Sequence, residues 1–172
     1  MQVLDKESFD TYVSVSKREI ASVKKCLQGI DTSFSIPYSS DGIEVIFDQA
    51  QVVVSYLSLL DECCTRINKL LVSGNILVAD ARARVYIAKA ELMRTKHQVL
   101  VNKGYSQSER EAEINIDFFE DERQIRLVSN QVKIVDSIKW DILRKTKLLT
   151  ETLKVLRINR ELLDMGIGMG EK

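Results

Sequence analysis

Proline is almost missing from this chain: Pro37 is the only one in 172 residues. Proline removes a backbone donor and clashes with the preceding helical turn, so its scarcity leaves long helices free to run on. Histidine is equally scarce. His97 stands alone, and without a second histidine or a placed cysteine cluster neither a metal site nor a nucleophile–base pair is complete. The three cysteines are Cys26 and the adjacent Cys63 and Cys64. An odd number with a vicinal pair inside a helical pattern fits a reducing compartment, with the thiols as small core residues, rather than a disulfide framework. No run of about 20 apolar residues is present to cross a bilayer, and MQVLDKESF has no charged-then-apolar leader, so the expected location is cytoplasmic. Net charge is zero, with 25 basic and 25 acidic residues, so any charged surface must come from distribution along the chain. The Gly166-Ile167-Gly168-Met169-Gly170 string has no preceding strand and ends in Glu171-Lys172, which excludes a phosphate loop. Glu120, Asp121 and Glu122 are adjacent and point around a helix instead of converging on one substrate or metal. The sequence predicts a protein that is not an enzyme, with no metal and no cofactor.

Hydrophobic periodicity is what the chain has in abundance. Val128, Val135, Ile142, Leu149, Leu156 and Leu163 recur every seventh residue, and the positions three before them are Ile125, Val132, Lys139, Thr146, Leu153 and Arg160. This 3-4 spacing lays one stripe on a continuous helix roughly 58 Å long at ~1.5 Å per residue. The second series turns polar at Lys139, Thr146 and Arg160. The N-terminal half of the stripe is therefore expected in the chain's own core, and the C-terminal half, with Ile142, Leu149, Leu153, Leu156 and Leu163, at a wetter subunit interface.

The same grammar places the other helices. Asp5 caps a first helix over about 6–28 with Phe9, Val13, Ile20, Val23 and Leu27 inside, stopped by Gly29. Residues 29–42 read as a loop pinned by Phe34, Ile36 and Tyr38. Asp41 with Glu44 has the form of a capping box, opening a helix over about 43–72 whose seam is Ile46, Ala50, Val53, Leu57, Leu60, Cys64, Ile67 and Leu71. Val52, Val54, Tyr56 and Leu59 widen that stripe, as expected of a central helix contacted on more than one side. Ser73-Gly74-Asn75 reads as a break or kink before a helix over about 75–103 with the seam Ile76, Ala79, Ala83, Tyr86, Ala90, Met93, His97 and Leu100. Gly104 ends it, and Ser106 with Glu109, or Ser108 with Glu111, caps the last helix over about 108–164. Whether that helix is continuous through Phe118-Phe119 is left open by an irregular stripe. The expected fold is a single all-α domain, 1–165, a bundle of four to five long helices with coiled-coil-like repeats oligomerising through the C-terminal helix, followed by a glycine-rich tail, 166–172.

Charge is unevenly spread. Glu109 to Glu122 holds seven acidic residues against Arg110, whereas Arg123 to Arg160 holds ten basic residues against Asp136, Asp141 and Glu151. Both trends suit the helix dipole, and both equally allow a basic strip facing a ligand. On the third predicted helix Arg82, Lys89, Lys96 and Lys103 recur at intervals of seven, with Arg84 and Arg94 on nearby flanks. A string of cations tracks a phosphate backbone through counterion release; Tyr86 and Tyr105 are the nearby aromatic platforms for bases. The same flank would equally pair with an acidic helix, such as Glu109 to Glu122.

Around these cations the chain resembles a known family. Val78-Ala-Asp-Ala-Arg-Ala-Arg-Val-Tyr86 is similar to the basic K-A-R-then-aromatic helical motif of the UvsY-type phage recombination mediators. Ser55-Tyr56 on the preceding helix, the polar turn and the long C-terminal helix follow the order of that family. Val135 to Leu143 resembles its V-D-x-S-L-x-x-W-x-x-L-L, Asp136, Ser137, Ile138 and Trp140 fitting with one residue deleted. The likeness spans about residues 52–165. It implies a homo-oligomeric, all-helical mediator in the host cytoplasm that binds single-stranded DNA, engages the single-strand-binding protein and loads a RecA-like recombinase, with Arg82 and Arg84 as DNA contacts. The additional N-terminal helix, the Pro37 loop and the acidic stretch before the long helix depart from the pattern. The rival expectation is a helical interaction module, such as an assembly chaperone, adaptor or inhibitor, with no nucleic-acid role.

Overall fold

A computed structural model describes residues 3–34 and 42–165, at Gly42 and Ile43 the backbone alone. Among the described residues the protein is all-α, a helical bundle of four helices with no strand. They are α1 (Lys6–Gly29), α2 (Gly42–Asn102), α3 (Gln107–Asp117) and α4 (Phe119–Asp164). The chain divides into two compact units: residues up to Arg18 with Lys69–Asp136 form the first, and Glu19–Asn68 with the residues from Ser137 onward form the second. Helices α1, α2 and α4 each contribute a segment to both.

In the first unit the core gathers Phe9 and Tyr12 of α1, Val78, Ala81, Val85 and Ala88 of α2, Ile114 of α3 and Val128 of α4 around Phe118. Burying a side chain the size of Phe118 contributes about 1.5–3 kcal/mol. Asp5 caps α1, accepting from the Glu7 amide at 3.1 Å and the Ser8 hydroxyl at 2.6 Å. The buried Asp121 carboxylate accepts from the amides of Val3 and Leu4 at 3.1 and 3.2 Å, fixing the segment before α1 on α4.

Helix α2 runs unbroken where the sequence predicted separate helices over 43–72 and 75–103. Its buried seam steps Leu60, Cys63, Ile67, Leu71, Gly74, Val78, Ala81, Val85 and Ala88. Gly74 keeps the 3-4 count and is a contact residue, because a β-carbon there would lie 2.2 Å from Tyr12 Oη and 2.5 Å from Val132 Cγ2. The predicted seam beyond residue 75 is therefore rotated over most of its length: Ile76 is 63% and Tyr86 76% exposed, and Ala79, Ala83, Ala90 and His97 face outward, while Met93 is half-buried and Leu100 buried as expected. Helix α2 ends in a Schellman motif. Gly104 takes φ +74°, its amide reaches the Val101 carbonyl at 2.9 Å and the Tyr105 amide reaches that of Leu100 at 3.2 Å.

The predicted helix over 108–164 is two helices. Ser106 and Glu109 form a capping box for α3, with the Ser106 amide donating to Glu109 Oε2 at 2.8 Å. Phe118 closes α3, its amide donating to the Asn115 carbonyl at 3.2 Å, and its side chain is wholly buried. Burial of that ring is the physical reason the stripe is irregular there.

In the second unit the buried side chains are Ile20, Val23 and Leu27 of α1, Ile30 just beyond it, Ile46, Val53, Leu60, Cys63 and Ile67 of α2, and Ile138, Ile142, Leu149 and Leu156 of α4. Arg66 of α2 grips Glu19 of α1 through Nε at 2.9 Å and Nη2 at 2.6 Å. Of the widened stripe expected on α2, Val52, Val54 and Leu59 are exposed and Tyr56 is half-buried. Lys145 Nζ donates to the Ile30 carbonyl just beyond α1 at 3.0 Å. Of the loop residues expected to pin 29–42, Phe34 is half-buried. Ile36, Pro37, Tyr38, Asp41 and the tail 166–172 lie outside the described residues.

Candidate nucleic-acid interface

The cations of α2 divide into neutralised and unneutralised sets. Lys89 is half-buried over the first unit's core, where its Nζ pairs with Glu122 of α4, donates to Asn115 Oδ1 at 2.8 Å and lies 5.8 Å from the Phe118 ring centroid. Lys96 reaches Asp117 Oδ2 at 2.8 Å, and this hydrogen bond is the main cause that holds the Asp117 carboxyl below its ordinary value. Both lysines fasten α2 to the acidic stretch, so the pairing with Glu109 to Glu122 is realised at these positions. Arg84 Nε meets Asp80 Oδ2 at 2.9 Å one turn back on an exposed flank. Exposed pairs of this sort are worth about 0–1 kcal/mol and open readily.

Arg82, Arg94 and Lys103 have no acidic partner among the described residues. Arg82 lines a surface groove of about 340 Å³ in the first unit with Val85, Tyr86 and Lys89 of α2 and Glu122, Ile125 and Arg126 of α4. Residues 82, 86 and 89 share one helical stripe, being four and three apart. Val85 and Ile125 are buried below, so the apolar floor fixes both helices while the charged side chains reach the rim. Lys89 and Glu122 cancel, leaving the guanidiniums of Arg82 and Arg126 as a net charge of two beside an exposed aromatic ring. Arg94 and Lys103 do not line this groove.

Tyr86 and Arg126 are the residues that sequence reasoning misplaced or missed. Carrying the 3-4 count of α2 through Gly74 puts Val78, Ala81, Val85 and Ala88 inside and Tyr86 outside. Arg126 is read as one of many basic residues on α4, and only packing of α4 against α2 brings it beside Arg82.

The residues predicted for oligomerisation divide by burial. Ile142, Leu149 and Leu156 are fully buried in the second unit, so a second copy has no access to them there. Leu153 and Leu163 are half-buried. Leu153 lines a groove of about 450 Å³ with Phe47, Val54, Arg157 and Arg160 among others. The exposed apolar residues of α4 in this unit are Trp140, Leu143, Leu148, Val155, Ile158 and Leu162.

Among the described residues no group of three or more His, Cys, Asp or Glu side chains is placed to hold a metal ion. Nor is any described helix long and apolar enough to cross a membrane. No family model, curated protein or solved structure matches the chain.

Proposed function

We propose that this protein is a non-enzymatic, phage-type recombination mediator that captures single-stranded DNA and helps load a RecA-like recombinase. The supporting observation is the groove of the first unit, where Tyr86, 76% exposed, stands beside Arg82 and Arg126, which have no acidic partner among the described residues. Guanidiniums neutralise phosphates without regard to sequence, and an exposed ring gives a base a face on which to stack. The resemblance of residues 78–86 to the mediator motif points to the same helix. Arg94 and Lys103 extend the positive charge along α2, and Arg84 joins when its exposed pair opens. A homo-oligomer repeats a weak site many times, which raises avidity without any strong single contact. Engagement of the recombinase and the single-strand-binding protein belongs to this reading through the resemblance.

Binding to fluorescent oligo-dT at two salt concentrations tests the proposal. Each lost phosphate contact flattens the log–log salt slope by about 0.7 for single strands, so Arg82→Ala/Arg126→Ala is expected to flatten it by about 1.4. Tyr86→Ala is expected to cost about 1–3 kcal/mol of binding with the slope unchanged. Undetectable binding at low salt, or equal binding by the wild type and the double arginine variant, overturns it.

A second reading has its own observation. Val45, Val52 and Leu59 are exposed at intervals of seven on α2, as are Leu148, Val155 and Leu162 on α4. Apolar residues so spaced are what a helical interaction module presents to a protein partner. A chain that binds no oligo-dT yet assembles through these faces supports that reading.

A further inference from the structure

Three thiols fall within the second unit, and two of them meet. Cys63 Sγ of α2 lies 3.4 Å from Cys26 Sγ of α1, although the residues are 37 positions apart. Cys63 is buried in the core, whereas Cys26 is half-buried. Cys64, one helical position on, points about 100° away from its neighbour and accepts from Asn68 Nδ2 at 3.5 Å. We propose that Cys26 and Cys63 are a redox modification site, forming a reversible intramolecular disulfide that ties α1 to α2 within this unit while Cys64 stays reduced.

The oxidant is a low-molecular-weight disulfide of the glutathione class. The Cys26 thiolate attacks one of its sulfurs, a mixed disulfide forms, and one glutathione thiolate leaves and takes up the proton Cys26 gave to solvent. Cys63 then attacks the Cys26 sulfur of the mixed disulfide, loses its own proton, and expels the second glutathione, which is protonated in turn. Two protein thiols are oxidised, one small disulfide is reduced to two thiols, and no net proton is consumed. Burial pushes the Cys63 thiol up, with its hydrogen bond to Cys26 acting in the same direction, so Cys63 is protonated at neutral pH. That assigns the first attack to the more accessible Cys26 and the resolving step to Cys63.

The test incubates the full, folded chain with oxidised glutathione, counts free thiols and maps the cross-link by mass spectrometry without reduction. The expected result is a fall from three free thiols to one and a single link between Cys26 and Cys63. Cys64→Ser is expected to form the same link, and Cys26→Ser none. Closing a loop of this span is expected to raise the midpoint of thermal unfolding by about 10 °C, an increase that dithiothreitol abolishes. Glutathione left on Cys26 or Cys64 with no internal link, a link that includes Cys64, or three thiols surviving in the folded chain would each overturn the proposal.

Discussion

A β-carbon at position 74 would stand 2.2 Å from Tyr12 Oη and 2.5 Å from both Tyr12 Cζ and Val132 Cγ2. Tyr12 cannot yield freely, because its hydroxyl donates to the Leu70 carbonyl at 3.1 Å in a buried setting. Gly74→Ala must therefore displace a hydrogen-bonded ring or part α2 from α4, and overpacking of this kind costs about 1–3 kcal/mol. Gly29, at the end of α1, has nothing within 4 Å of its own β-carbon position. Gly29→Ala is expected to be neutral or to stabilise by about 0.4–1 kcal/mol through the unfolded chain. Urea unfolding of the two variants checks the contrast; equal midpoints would remove the contact role assigned to Gly74. The same residue marks where sequence reasoning turned. A glycine between serine and asparagine is a turn signal by local chemistry. Only the neighbours it admits, Tyr12 and Val132, are distant in sequence and reveal it as a packing position.

At the level of elements, the short α3 is held by charge as well as by packing. Its one buried residue is Ile114. Lys96 of α2 reaches Asp117, and Lys89 reaches Asn115 and, just beyond, Glu122 of α4. Because the Lys96 hydrogen bond lowers the Asp117 pKa in the folded state, the pair stabilises the fold above the ordinary carboxylate value of 3.8. That contribution is lost as pH falls through the lowered folded value. An NMR titration is expected to place the Asp117 midpoint below 3.8 and, in Lys96→Met, to return it towards that value. An unmoved midpoint would mean that the pair does not form in solution. The helix start was legible, since Ser106 and Glu109 spell a capping box. Its end was not, because Phe118 terminates it by burial, and no turn-forming residue announces that.

Taken as a whole molecule, the all-α fold was legible in the 3-4 repeats, because one stripe per helix is all that bundle packing requires. Half of the α4 pattern holds: Val128, Val135, Ile142, Leu149 and Leu156 are fully buried. In the companion series Ile125 is buried and Val132 packs against the first unit's core as expected, but Lys139, Thr146 and Leu153 are half-buried and Gln131 and Ile138 are buried instead, a register that the apolar content of the sequence alone does not select. The groove with Arg82 and Tyr86 was half legible, since Arg82 and Lys89 stand seven apart in the sequence, whereas only packing of α4 brings Glu122 to Lys89 and Arg126 beside Arg82. For assembly the decisive fact is adjacency: Leu148 and Val155 are exposed, and the next residues, Leu149 and Leu156, are completely buried. If copies of the chain associate through the outer stripe of α4, Leu148→Glu/Val155→Glu leaves the helical circular dichroism unchanged but reduces the mass seen by light scattering to 19.6 kDa, the chain itself. Leu149→Glu buries an unpaired carboxylate and is expected to lose several kcal/mol of fold stability whatever the assembly state. A Leu148→Glu/Val155→Glu protein that keeps the wild-type mass would place the subunit contact elsewhere, and a wild type already at 19.6 kDa at high micromolar concentration would remove the oligomer from the mediator reading.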